Sequence, residues 1–390
     1  MAEIRRPPWI PAFAGMTDDE RPEPMIPQTD PKAAYLEQQA EIDAAIQRQL
    51  ASGWYILGKE VEGFEAEFAA YLGLAHGIGV ANGTDALVLA LKGLGIGPGD
   101  KVATVAHTAV ATVVAVEQAG AVPVLIDIDP LTYTMDPAAL DAAFAAYPDI
   151  KAVVPVHLYG QPADLPEIQA IVRRHGAKLI EDCAQAHGAK LDGRTLGTWG
   201  DVACFSLYPT KNLGALGDGG IIATADRGLA TELKALRQYG WREHYVSDLV
   251  GMNSRLDELQ AAILRVKLTA LDRWNARRRA IAGAYDAGLA GIGLGLPSVR
   301  AGAEHVYHQY AIRAADRDGL KARLRERGVA SNIHYPVPVH RQAAYRDRLT
   351  IGPAGLGETE RAAAEVLSLP MYPQLSDAAV AEVISAVRAG

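Results

Sequence analysis

The sequence predicts an α/β chain: a large, mostly parallel sheet domain followed by a small C-terminal α+β domain. Three observations predict it. Buried strand patterns alternate with helical ones through the first half of the chain, which is the signature of parallel strands joined by right-handed crossovers. Near residue 230 long helical segments take over. After residue 300 a shorter mixed strand and helix pattern closes the chain.

The elements follow in order. "EVEGFEAEFAAYLG" reads as helix, "HGIGVANG" as a short strand, and "TDALVLALKGLG" as a helix with a polar start and a glycine stop. "KVATVA" is strand, "TAVATVVAVEQAG" helix, "VPVLID" strand, "DPAALDAAFAAY" helix and "KAVVPVHLYG" strand. "LPEIQAIVRRHG" is helix, and "AKLIEDCA", "DVACFSLY" and "GGIIAT" are strands. "LATELKALRQYG" and the long run "RLDELQAAILRVKLTALDRWNARRRAIAGAYDAGLAG" are helical. The last region offers strand-like "VYHQYAIRA" and helix-like "DGLKARLRERG" and "DAAVAEVISAV". These place the large domain at 25–265 and the small one at 266–390. The first 24 residues are rich in proline and charge, show no amphipathic period and carry no signal-peptide pattern. They read as a disordered tail outside the fold, and Met25 is a candidate start residue.

Composition narrows the function classes. The 390 residues have 49% hydrophobic and 22% charged side chains, ordinary for a soluble globular protein. A net charge of -8 lacks the basic footprint of a nucleic-acid partner. The longest apolar run is too short and too polar to span a bilayer, so no membrane is expected. The two cysteines, Cys183 and Cys204, lie in apolar strand-like runs and suit a reduced, cytoplasmic setting.

In open α/β sheets ligands sit beyond the carboxyl ends of the strands, and three segments fall there. In "GVANGTDAL" a strand ends and a helix starts near Thr84. Unpaired N–H groups at a helix start bind phosphate, and Gly83 permits close backbone approach. Plain capping by Thr84 or Asp85 is the ordinary alternative. In "LIEDCAQAHGA" Asp182 follows an apolar strand and wants a cationic partner, such as a protonated pyridine nitrogen. Gln185 and His187 would lie close by; a carboxylate capping the next turn is the alternative. In "CFSLYPTKNLGALGDGG" Ser206 and Lys211 flank a turn forced by Pro209, with glycines leaving room for a planar ligand. Taken alone, Lys211 could be a solvated loop lysine. Together, a phosphate cradle, a buried acid and a loop lysine meet the needs of pyridoxal 5'-phosphate (PLP): an anchor, a partner for the ring nitrogen and an imine-forming amine.

With "YILGKEVEGFE", "HTAVAT", "VPVHLYG", "GMNSRLDELQAAIL" and "NIHYPVPVHRQAAY" added in order, the chain resembles the DegT/DnrJ/EryC1/StrS family of PLP-dependent sugar aminotransferases from residue 25 to 390. The resemblance implies the PLP-dependent transferase (aspartate aminotransferase, type I) fold. It implies that Lys211 binds the cofactor covalently and shuttles the proton, and that Asp182 pairs with the ring nitrogen. Gln185 would contact the ring hydroxyl oxygen, and Gly83, Thr84 and Ser206 the phosphate. Asn253 would reach the phosphate in a neighbouring subunit, implying a homodimer with shared sites. Many members carry a stacking aromatic where this chain has Ala109, and His107 is the nearest replacement. Some relatives have histidine in place of the lysine and dehydrate their substrate; Lys211 points to transamination. Glutamate would give its amino group to a nucleotide-linked keto-sugar. The C-terminal motifs look most like members acting at the third carbon of dTDP-3-keto-6-deoxyhexoses, with UDP-linked 3-keto and 4-keto sugars as alternatives. Tyr55, His334 and Tyr335 are candidate substrate contacts; packing is their alternative role. Tyr159 is expected to be structural. No metal is expected. Two other classes stay open: a non-catalytic PLP-binding regulator, and a general amino-acid aminotransferase, whose arginine clamp the sequence does not locate.

Overall fold

The computed structural model describes residues 25–390, so the expected tail at 1–24 lies outside the described residues. An eight-stranded sheet runs in the order His76–Val80, Gly220–Thr224, Val202–Ser206, Lys178–Asp182, Ile150–Val154, Lys101–Val105, Val122–Ile126 and Thr350–Ile351. Every pairing is parallel except the two made by Gly220–Thr224, which runs against both of its neighbours. The carboxyl ends of the parallel strands and the start of Gly220–Thr224 therefore share one edge. In register, Val80 and Ser206 lie on either side of Gly220.

Both faces of the sheet are covered, so its strands are apolar on both sides. Helices Gly83–Gly93, Ala111–Gln118 and Arg227–Leu236 pack on one face with Ile78, Val80, Ile180 and Ile222. Helices Lys59–Leu72 and Glu258–Leu268 cover the other, against Phe205, Ile221 and Ala223. Pro137–Ala146 and Leu165–His175 extend that cover over the strands nearer the far edge. Asp136, Asp164 and Asp226 start their helices by accepting a first-turn N–H, and Gly176 stops Leu165–His175 at φ 67°.

The C-terminal part has its own core, in which Leu271–Leu289 and Asp377–Arg388 pack on the antiparallel pair Tyr310–Arg313 and Val366–Leu369. The long helical run of the sequence is broken at Thr269–Ala270 into two helices. Thr350–Ile351 returns to the edge of the main sheet, so the region after 266 is not wholly a separate layer.

One helix is capped from 200 residues away. Lys59–Leu72 has no cap of its own at Gly58; buried Glu258 instead accepts from the N–H groups of Gly58, Glu60 and Val61 at 2.6, 3.0 and 3.0 Å. Three buried donors lose their partner in Glu258→Ala, so the variant should cost about 2 kcal/mol and melt at lower temperature than the parent. A thermal melt of the two proteins checks this; equal melting temperatures would show that water replaces the carboxylate.

Candidate active site

The shared strand edge opens into a cleft of about 480 Å³ lined by Asn82, Gly83, Thr84, Asp182, Gln185, Ser206 and Lys211, among others. Another cleft of about 500 Å³ lies at the opposite end of the strands, against Lys178, Asp201 and Thr224, and includes none of the candidate residues.

The cradle is built by close approach. Asn82, not Thr84 or Asp85, caps Gly83–Gly93, its Oδ1 accepting from Asp85 N at 2.8 Å. That leaves the first N–H groups of the helix, at Gly83 and Thr84, without intrahelical partners. A Cβ on Gly83 would lie 2.7 Å from Ser206 Cβ, and one on Gly220 would lie 2.3 Å from Asn82 O. Both glycines are therefore required for strand end, helix start and Ser206 to meet. Buried Ser254 Oγ accepts from Ala81 N at 3.0 Å and donates to Asp85 at 2.6 Å, bracing the same turn.

Asp182 ends its strand buried in the floor of the cleft. It accepts from Thr112 Oγ1 at 2.9 Å and from Ala184 N at 3.1 Å. Burial raises its pKa, opposed by the Ala184 and Thr112 hydrogen bonds and by the charge of Lys211. Thr112 also meets Thr108 Oγ1 at 3.2 Å. The one signal that Thr112 carries in the sequence is its spacing of four from Thr108 in "HTAVAT", which fits one helix face.

Lys211 follows a turn in which its N–H donates to Tyr208 O at 2.8 Å. Burial pushes its amine down to about 8, against the pull of Asp182. The neutral amine is the nucleophile. Binding of PLP to the cofactor-free protein should therefore accelerate as pH rises through about 8, rather than near the ordinary lysine value of 10.5. Stopped-flow absorbance from pH 6 to 10 checks this; a flat profile below pH 10 contradicts it.

The other candidates divide. Gln185 is at the cleft, with Oε1 accepting from Tyr159 N at 2.7 Å and Nε2 donating to Tyr335 Oη at 3.1 Å. Tyr335 reaches the cleft only through that bond and does not line it, and neither does His334, whose Nδ1 lies 2.9 Å from Ser368 Oγ. His107 is not brought to the cleft. It is buried against Tyr133 and Tyr159, with Nε2 3.0 Å from Tyr159 Oη. Ala109 lines the cleft instead, so in this structure no histidine ring is offered where the stacking group was expected. Tyr55 is 55% exposed, bonds to Leu50 O and lies outside the cleft lining; Asn253 is exposed beside Ser254. His157, Glu181 and Cys183 cluster below the site. Glu181 already accepts from the N–H groups of Gly197, Trp199 and Gly200, and His157 Nδ1 from that of Ala163, so the cluster braces strands and has no free ligand set.

These residues fit PLP: an anion cradle that a Cβ would fill, a buried acid needing a cation, and a desolvated amine share one cleft. Comparison with known proteins agrees. Residues 36–388 match the family described as the DegT/DnrJ/EryC1/StrS aminotransferase family. The chain is 49% identical over 367 residues to a dTDP-3-amino-3,4,6-trideoxy-alpha-D-glucose transaminase of Streptomyces venezuelae, covering 94% of this chain and 96% of that protein. It is 45% identical over 364 residues to a UDP-N-acetyl-3-dehydro-alpha-D-glucosamine 3-aminotransferase of Acidithiobacillus ferrooxidans, covering 93% and 97%. The crystal structure of S. venezuelae DesV in complex with a ketimine intermediate superposes with a TM-score of 0.91 at 48% identity, covering 94% of this chain and 98% of that one.

Proposed function

We propose, for a chain that belongs to the DegT/DnrJ/EryC1/StrS aminotransferase family, that it moves an amino group from L-glutamate to the third carbon of a dTDP-linked 3-keto-6-deoxyhexose. The observation that carries this reading is the convergence of Lys211, Asp182, Gly83 and Ser206 on one cleft. PLP is the cofactor, and when bound it supplies an electron sink for the carbon losing its proton.

The residues divide the work. Gly83, Thr84 and Ser206 hold the phosphate, and Asp182, fixed by Thr112, holds a proton on the ring nitrogen. Gln185 would offer the ring's hydroxyl oxygen the amide proton that Tyr335 leaves free. Lys211 Nζ would hold the cofactor and, when freed by the amino substrate, would serve as the acid–base group that takes up and returns the substrate α-proton. The same steps in reverse aminate the ketone. His334 and Tyr335 face the sugar, while Tyr55 and Asn253 serve the site from a second subunit. A homodimer is supported by the exposed apolar run Trp54, Tyr55 and Ile56 with Leu50 nearby. A cytoplasmic setting is supported by two free, buried cysteines. Among the described residues no helix is long and apolar enough to cross a membrane.

The test is the absorbance spectrum before and after glutamate, followed by turnover with a panel of keto-sugar nucleotides. The visible band of lysine-bound PLP should move to the near-ultraviolet with glutamate, and a dTDP-3-keto-6-deoxyhexose should restore it. Failure of glutamate to move the band overturns the donor. Restoration by a UDP-linked 3-keto sugar alone would favour the second reading, which the similarity to the A. ferrooxidans enzyme supports.

A further inference from the structure

We propose that His107 and Tyr159 are positioning residues that set the His334–Tyr335 loop through a hydrogen-bond chain of fixed direction. The inference rests on the reading of His334 and Tyr335 as keto-sugar contacts, and it gives roles to two residues placed neither at the cofactor nor at the substrate above.

The direction follows from counting protons. Tyr159 Oη has one proton and two neighbours, the main-chain carbonyl of His334 and Nε2 of His107. A carbonyl can only accept, so the Tyr159 proton goes to His334. His107 must then donate from Nε2, at 3.0 Å, which fixes the tautomer and leaves Nδ1 bare. Nδ1 is indeed buried with no partner. The ring is neutral at working pH, because burial pushes its pKa down to about 4. A second branch leaves the same residue. Tyr159 N donates to Gln185 Oε1 at 2.7 Å, which orients the amide so that Nε2 donates to Tyr335 Oη at 3.1 Å. Tyr335 accepts there and keeps its own proton for a ligand oxygen, such as a keto or hydroxyl group of the sugar.

The two branches thus end on adjacent residues of one loop, and both start from Tyr159. Tyr159 holds φ 60°, a left-handed conformation costly for a non-glycine residue, so its surroundings dictate its placement. His107 stands two residues beyond the strand Lys101–Val105, and Tyr159 five beyond Ile150–Val154. The chain therefore ties the sugar-facing loop to the rigid sheet edge that carries Asp182.

The test combines kinetics with a direct look at the ring. Tyr159→Phe removes the hydroxyl and keeps the backbone bond to Gln185. Its KM for the keto-sugar should rise roughly tenfold, while the glutamate half-reaction, followed by absorbance, stays within about threefold. His107→Gln can present an amide N–H near the place of Nε2–H and should behave as the parent. His107→Asn is too short and should behave as Tyr159→Phe. In ¹⁵N-histidine NMR of the holoenzyme, His107 should appear as the Nε2–H tautomer. Tyr335→Phe separates the inference from its premise. If Tyr335→Phe raises the keto-sugar KM and Tyr159→Phe does not, the chain is wrong and the substrate reading stands. If Tyr335→Phe leaves that KM unchanged, the substrate reading fails and the inference falls with it. An Nδ1–H tautomer, or equal loss of both half-reactions in step with melting temperature, would reduce His107 and Tyr159 to packing.

Discussion

Lys211→Ala is expected to lower transamination by roughly 10⁴-fold or more, since one substitution removes both the covalent anchor and the proton carrier. The expectation is specific to position 211. Lys267 is also buried, and burial also pushes its amine down to about 8. A lowered pKa alone would therefore nominate two lysines. Geometry separates them. Lys267 donates to Gly214 O from the rear of the lysine loop and does not line the cleft, whereas Lys211 lines it together with Asp182 and Ser206. Borohydride reduction of the holoenzyme, digestion and peptide mass should find the cofactor on the peptide containing Lys211 and nowhere in Lys211→Ala. Cofactor fixed on Lys267, or turnover by Lys211→Ala within tenfold of the parent, would overturn the assignment.

Asp182→Asn should lower kcat/KM for the complete reaction by about 10²- to 10³-fold with little change in melting temperature. The amide matches the carboxylate in size and can still meet Thr112 and Ala184, so the local packing survives. It cannot supply the negative charge that keeps a proton on a ring nitrogen. Burial makes that charge expensive to maintain in the empty site and correspondingly effective beside a cation. Steady-state kinetics over several pH values check this. A loss of less than threefold would mean that the carboxylate serves only as a turn cap, the ordinary alternative for its segment.

What was legible in the sequence was local. Strand endings at Val80, Asp182 and Ser206 follow from apolar runs broken by polar or glycine residues, and the edge they share follows from the parallel crossovers. Gly83, Asp182 and Lys211 could be found because each stands just past such an ending. His107 could not be placed in the same way. It lies beyond the last residue of its strand, where the two-residue alternation of side chains no longer applies, and its ring turns towards Tyr159. Tyr159 looked structural because its partners, His107 and His334, lie 52 and 175 residues away. Glu258 was hidden for the same reason, as a helix cap supplied from a distant part of the chain. Short periodic breaks were also lost: nothing in the amphipathic run across 269–270 announces the end of one helix and the start of the next.

The phosphate cradle hangs from the outermost strand. His76–Val80 pairs with Gly220–Thr224 and, among the described residues, has no strand on its other side, so that pairing is a seam at the sheet's edge. A ligand gripped by the turn after that strand and by Ser206 spans the seam like a clasp. At a hundredfold excess over its dissociation constant such a ligand adds about 2.7 kcal/mol to the closed state. In a cell short of the vitamin precursor, newly made chains would lack that contribution and would open along this edge more often, to proteases and to pairing with foreign strands. Cofactor supply would then set how long the protein survives as well as how fast it works.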